Sequence, residues 1–215
     1  RQMCIRDRYW EALLHVAFDT SPAPRPDVAD ADNLRRLAII RFKNGVLKYW
    51  RPRILRNGTF KISDAAKERI RSHLLQVLHE TDRTVAVQAA VAIARIARMD
   101  YPDAWPKLVP MVREAIESAT ASIHRAASSG AGMDSTAPDT LLLLRACDVL
   151  RQCLKEFESV RVLAGKMRMT DLARTLLPSL QPAFEQLFAD TFHLPDPSAA
   201  AVAAWAAVPG VHERI

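Results

Sequence analysis

The strongest constraint on this chain is an apolar rhythm of helical period that recurs in pairs of segments, each pair too narrow to bury its own face. Trp10, Leu13, Leu14, Ala17 and Phe18 fall at i, i+3, i+4, i+7 and i+8, which predicts a short helix over 10–18. A Pro-rich acidic stretch from Ser21 to Asp32 reads as a non-helical loop, with Asp32 or Asn33 as N-cap of the next helix. That helix, over about 34–50, carries Leu34, Ala38, Ile39, Phe42, Val46, Tyr49 and Trp50, an arc broad enough to need packing on two sides, and Pro52 closes it. In a second pair, Ser63 caps a helix with Ile70, Leu74, Val77 and Leu78 on one face. Asp82 opens its companion, with Val85, Ala89, Ala92, Ile93 and Ile96. The Ala-rich second member permits close approach.

A third pair runs from Trp105-Pro106 to about 126 and from Asp139 to about 157, separated by a small-residue linker at 128–138 that reads as a surface insertion. A fourth first helix begins at Thr170 or Asp171, is expected to kink at Pro178 and Pro182, and ends near Phe192. First members start near Ser63, Trp105 and Thr170, steps of 42 and 65 residues; second members start near Asn33, Asp82 and Asp139, steps of 49 and 57. Away from the insertion these steps approach the roughly 40 to 47 residues of a two-helix HEAT or armadillo repeat. Stacking such pairs supplies the core that no pair has alone. The predicted fold is all-α: an α-solenoid of HEAT-like two-helix repeats, a fragment of a right-handed superhelix.

Composition agrees. The 49% hydrophobic and 25% charged residues provide both core and solvated surface, and 6 Gly with 7% aromatics argue against an all-β chain. The longest near-continuous apolar stretch, 199–208, is about half of what a bilayer span needs, so no membrane insertion is expected. Three cysteines form no disulfide or zinc pattern, and Cys147 and Cys153 are six apart, about 120° from facing each other on a helix; a reducing compartment fits best. Residues 1–8 resemble the translation of a sequencing-library adapter and are set aside, so the chain reads as an internal fragment. The net charge of +6 is unevenly spread: Arg35, Arg36, Arg41, Lys43, Lys48, Arg51, Arg53 and Arg56 follow one another with no acidic residue between them.

The segment Leu37-Ala-Ile-Ile-Arg-Phe-Lys-Asn-Gly-Val-Leu-Lys-Tyr-Trp-Arg51 resembles the N-terminal signature of importin-β (karyopherin) superfamily transport receptors, an apolar helix with a Lys-Asn pair and an aromatic end. Residues 88–106, with the corner Asp-Tyr-Pro-Asp-Ala-Trp-Pro, are similar to that family's second-repeat helix, and the Tyr-Trp-Arg ending leans toward the importin-eleven branch. The resemblance covers about 10–110. It implies an importin N-terminal-type domain at 9–110 (repeats 1 and 2 and the start of 3); beyond it, periodicity alone gives HEAT-like repeats 3 and 4 at 111–194, followed by a linker or truncated helix at 195–215. It also implies a receptor that shuttles between nucleus and cytoplasm and supports protein import, with Ran in its GTP form, cargo proteins and nuclear pore proteins as partners. No cofactor is implied.

In a solenoid the second helix of each pair lines the concave surface. On that argument Arg36, Lys43, Asn44, Lys48, Gln88 and Arg95 are candidate Ran contacts. Lys43 is weighed first as a partner contact. Asn44 is weighed first as an amide tying down the adjacent repeat, and only second as a contact. Arg41, Asn44 and Lys48 share one stripe and Arg36 and Lys43 another, so at least one stripe faces solvent or a partner. Gln88 and Arg95, seven apart, share a face whose plainer reading is a solvated surface, and Arg98 follows on the same helix. Tyr101, Pro102, Trp105 and Pro106 are expected to form a structural corner, with Pro106 at the first position of the next helix. The basic cluster with Tyr49 and Trp50 also fits a nucleic-acid-binding module, although core packing is preferred for the aromatics and nucleic acid is the less favoured partner. A cytoplasmic scaffold is a third reading. Six histidines without ligand spacing, glycines without a phosphate loop and the lack of a nucleophile motif give no support to an enzyme.

Overall fold

The computed structural model describes residues 2–20, 28–55, 58–60, 62–128, 137–158 and 163–192. Among them are seven α-helices: α1 (Gln2–Phe18), α2 (Val28–Trp50), α3 (Asp64–Leu74), α4 (Arg83–Asp100), α5 (Leu108–Ser128), α6 (Pro138–Glu158) and α7 (Leu163–Phe192). A 3-10 helix, Leu75–His79, extends α3. The helices form two layers. In one, α2 packs on α4 and α4 on α6; in the other, α1 lies beside α3 and α5 beside α7. Each first helix also packs on its own second helix, α1 on α2 and α5 on α6. This is the α-solenoid that the paired periodicity predicts.

One continuous core links the repeats, from Trp10 and Leu14 through Ile39, Phe42 and Trp50 to Ile93, Ile96, Ile116, Val149 and Phe157. Burying each large apolar side chain contributes about 1.5–3 kcal/mol, so packing across layers outweighs local helix propensity. Capping sets the second pair. Ser63 Oγ accepts from Ala66 N at 3.2 Å, and Asp82 Oδ1 accepts from Thr84 N at 2.7 Å and Val85 N at 2.9 Å.

Several boundaries differ from the sequence pattern. Helix α2 begins at Val28, so neither Asp32 nor Asn33 is its N-cap and residues 28–32 of the expected loop are helical. No proline follows Pro26 there, and an acid early in a helix suits the macrodipole; Asp32 lies 3.6 Å from Arg35, three residues on. Helix α1 starts at Gln2 rather than Trp10, because residues 2–9 contain no helix breaker. Pro106 is not the first residue of α5: it sits in a turn, with Leu108 N donating to Trp105 O, and the helix starts at Leu108. Helix α7 starts at Leu163, before Thr170, and contains Pro178 and Pro182 within one 30-residue helix. Both prolines are exposed, where water can serve a carbonyl left without its donor.

A hairpin absent from the sequence reading follows α2. Strands β1 (Arg53–Leu55) and β2 (Gly58–Phe60) pair antiparallel, Arg53 opposite Phe60. Of the insertion expected at 128–138, residues 129–136 lie outside the described residues, as does the stretch 193–215, while Ser128 ends α5 and Pro138 begins α6.

Candidate partner interface

The second helices α2, α4 and α6 run side by side, and their polar contacts show how they are aligned. Arg36 reaches Asp82, Lys43 reaches Gln88 and Arg98 reaches Glu156, so successive turns of one helix face successive turns of the next.

Along α2 the fold separates the basic cluster by helix face. Arg36 donates from Nε and Nη2 to Asp82 Oδ2 at 2.9 and 2.7 Å, and Lys43 Nζ donates to Gln88 Oε1 at 2.6 Å. That stripe lies against α4. Arg41, Asn44 and Lys48 lie on the exposed stripe, where Arg41 points Nε at the Tyr9 hydroxyl, 3.4 Å away. Asn44 does not tie down the next repeat: one residue past Lys43, it is turned by about 100° away from α4 and into solvent. Arg95 is half-buried, 3.6 Å from Glu156, which Arg98 also approaches at 3.4 Å. Lys43 and Gln88 are thus brought into contact, Asn44 and Lys48 stand beside them on the open face, Arg95 lies two turns along α4, and Arg36 belongs to the joint between repeats.

Electrostatics reinforce that joint. Burial opposes ionisation of Asp82, but the hydrogen bonds from Val85 N, Arg36 and Thr84 N, with the Arg36 charge, outweigh it and hold the carboxyl below its usual range. Reciprocally, the hydrogen bond to Asp82 and then its charge raise Arg36 above its ordinary value.

At the corner, Tyr101 and Trp105 are buried while Pro102 and Pro106 are exposed, and the Tyr101-Pro102 peptide is cis. The Tyr101 ring stacks on Phe157 at 6.0 Å between centroids, and its hydroxyl donates to Asp171. Burial, followed by that bond and the Asp171 charge, pushes the phenol pKa well up. Burial and then Glu156 push Cys153 up to about 12, and burial and then Asp148 raise Cys147, so both are held as thiols.

Two inter-repeat devices went unread in the sequence. Arg35 donates to Glu80 at 2.6 Å and to Ala17 O at 3.0 Å, while Arg145 donates from the other side to Glu80 O at 2.8 Å and Thr81 O at 3.1 Å. Asp100 Oδ2 accepts from Arg71 at 3.0 and 2.6 Å and from Trp50 Nε1 at 2.9 Å. The signals were an Arg amid the leucines of α6 and an Asp closing an apolar helix, where the macrodipole disfavours an acid. Among the described residues, no group of three His, Cys, Asp or Glu is placed to hold a metal ion, and no helix is long and apolar enough to cross a membrane.

No protein-family model matches the chain. Importin-11 of Mus musculus and of Homo sapiens are each 36% identical over 85 residues, 40% of this chain and 8% of theirs. Importin beta-like protein KAP120 of Saccharomyces cerevisiae is 39% identical over 82 residues, 38% of this chain and 8% of its own. The chain thus spans about a twelfth of these curated relatives. A solved structure of Lph2, described as a bidirectional nuclear transport receptor of S. cerevisiae, superimposes with a TM-score of 0.66 over 92% of this chain and 17% of its own, at 23% identity. The two-layer helical repeat and the similarity over about 40% of the chain agree: the chain is similar to importins of animals and yeast and shares the fold of a solved nuclear transport receptor.

Proposed function

We propose that the chain is part of a nuclear transport receptor and that its second-helix face receives Ran in its GTP form, supporting protein import. The observation that carries this is the alignment of α2 with α4, which gathers Lys43, Asn44, Lys48 and Gln88 on adjoining surfaces of a chain similar to importins. The Lys43 partner is a neutral amide oxygen, so the ammonium keeps its full charge toward an approaching acidic or carbonyl group, at the cost of exchanging one hydrogen bond. Arg36, bonded to the carboxylate that caps α4, serves orientation rather than contact.

The mechanism is differential affinity. Ran-GTP and cargo favour different curvatures of one superhelix, so each biases the binding of the other, and nothing in the receptor need hydrolyse GTP. Nucleic acid is the weaker reading: Arg35, Arg36 and Lys43 are bonded to protein groups, Trp50 is buried and Tyr49 packs on Trp10, which leaves little of the stacking platform that single strands use.

The test is a calorimetric titration of the 215-residue chain with Ran loaded with a non-hydrolysable GTP analogue and, separately, with GDP. Binding to the GTP form alone is expected. Equal affinity for both forms, or none for either, would overturn the reading and favour a scaffold.

A further inference from the structure

Helices α6 and α7 each turn an apolar flank away from the repeats that precede them. On α6, Arg145 and Glu156 face the α4 side, where Arg145 donates to Thr81 O and Glu156 meets Arg95 and Arg98. Leu143 and Leu154 each stand two residues from one of these, turned by about 160°, and Leu150 falls on the same flank. Leu143 and Leu150 are half-buried and Leu154 is exposed. Helix α7 packs beside α6 and enters the core through Leu172, Leu176 and Ala183. Next to that buried stripe it carries Leu177 and Phe184, seven apart on one face and 60% and 52% exposed.

The chain itself holds a segment suited to cover these flanks. Residues 197–208, outside the described residues, read Pro-Ser-Ala-Ala-Ala-Val-Ala-Ala-Trp-Ala-Ala-Val without a single charge. Asp196 before them is an N-cap type, Pro197 suits a first helical position, and Pro209-Gly210 is a stop signal. A helix apolar on every side belongs where neighbours bury it. Helix α4 is the precedent within this fold: an Ala-rich second helix behind an Asp cap, packed between α2 and α6, with Ala86, Ala90, Ala94 and Ala97 all buried.

We propose that residues 197–208 dock as the second helix of the fourth pair, seated between Leu143, Leu150 and Leu154 of α6 and Leu177 and Phe184 of α7. Residues 193–196 connect Phe192 to Pro197, a connection within the about two to five residues that join antiparallel helices. A helix over 197–208 rises about 1.5 Å per residue and so reaches back about 18 Å along α7, past Phe184 and toward Leu177. Its alanines allow close approach on both sides, and Trp205 supplies a large ring to fill the space between the leucines of two helices. The layer of α2, α4 and α6 then continues by one helix, and an apolar end that would otherwise join a second copy of the chain is closed from within. The inference is independent of the face proposed for Ran.

The experiment reads Trp205 by acrylamide quenching in the 215-residue chain, its emission isolated by difference from Trp205→Phe; Trp10, Trp50 and Trp105 are buried. Trp205 is expected to be shielded, and its quenching constant to rise about threefold when the docked segment is released. Two variants release it from opposite sides. Leu177→Ser/Phe184→Ser removes the α7 stripe, and Val202→Asp/Ala204→Asp sets acids about 160° apart on the segment while leaving the sequence of every described helix unchanged. Leu37→Ser, at an exposed leucine of α2, is expected to leave Trp205 shielded. Circular dichroism establishes that each variant is folded. A freely quenched Trp205 in the parent chain, shielding that survives either release variant, or shielding that grows with chain concentration, as a second copy seated on α6 and α7 would give, would overturn the proposal.

Discussion

Gly45 lies where α1 crosses α2, and a Cβ at that position would stand 2.6 and 2.8 Å from the Trp10 indole. The glycine is therefore required by close approach of two helices, at a local cost of about 1 kcal/mol in helix propensity. Gly45→Ala should destabilise the chain by about 1–3 kcal/mol, read as a fall in urea midpoint, because the indole must leave its rotamer or push the helices apart. Asp100 is the other single residue on which much rests. Its removal leaves the buried Arg71 guanidinium with only the exposed Glu68 carboxylate and the Trp50 indole without its acceptor, so Asp100→Ala should cost on the order of 3 kcal/mol. The double variant Arg71→Met/Asp100→Leu, which removes both charges together, should cost less if the pair serves alignment more than stability.

Helix α4 depends on its N-cap and α3 on a histidine, and both make element stability depend on pH. Asp82 is held below the usual carboxylate range, so its contribution is complete above about pH 4 and is lost as pH falls through its depressed value. In Asp82→Asn the acid limb of thermal stability should flatten below that pH. On the outer layer, the His15 and His73 rings lie 4.4 Å apart between α1 and α3. Burial and then the His15 charge lower His73 from 6.5. The folded state therefore binds fewer protons than the unfolded one, and the stability present above about pH 6.5 is lost as pH falls through the lowered value. His15→Gln should shrink the difference between melting temperatures at pH 7.5 and pH 5.5; an unchanged difference would locate the effect in burial of His73 alone.

Across the molecule, Glu80–Thr81–Asp82 is gripped by Arg35 and Arg36 from the first repeat and by Arg145 from the third. A solenoid is coupled only between nearest neighbours, and here both neighbours of the second repeat hold it through one short segment. Arg145→Ala should therefore loosen the third repeat from the first two, lowering the urea m-value and broadening the transition as well as shifting its midpoint. A narrower loss, a shifted midpoint at constant m, would mean that apolar packing alone keeps the repeats cooperative.

The paired helices and their caps at Ser63 and Asp82 were legible because they depend on nearest neighbours along the chain: a period of 3.6 residues, a side-chain oxygen before an apolar run, a proline after one. The resemblance to importins was legible for the same reason, being carried by contiguous residues. The start of α2 misled because acidic residues serve both as N-caps and as first-turn helix residues, and only the chain's actual path separates the two. Among the candidate contacts, residue type marked Lys43, Asn44 and Lys48 alike. Which of them turns toward α4 and which toward solvent was settled by helix packing, since a single residue step swings a side chain by about 100°. Nor does local sequence disclose Glu80 meeting Arg35 and Arg145, or Asp100 meeting Arg71 and Trp50. Those partners lie 29 to 65 residues apart, and only the stacking of repeats brings them within hydrogen-bond reach.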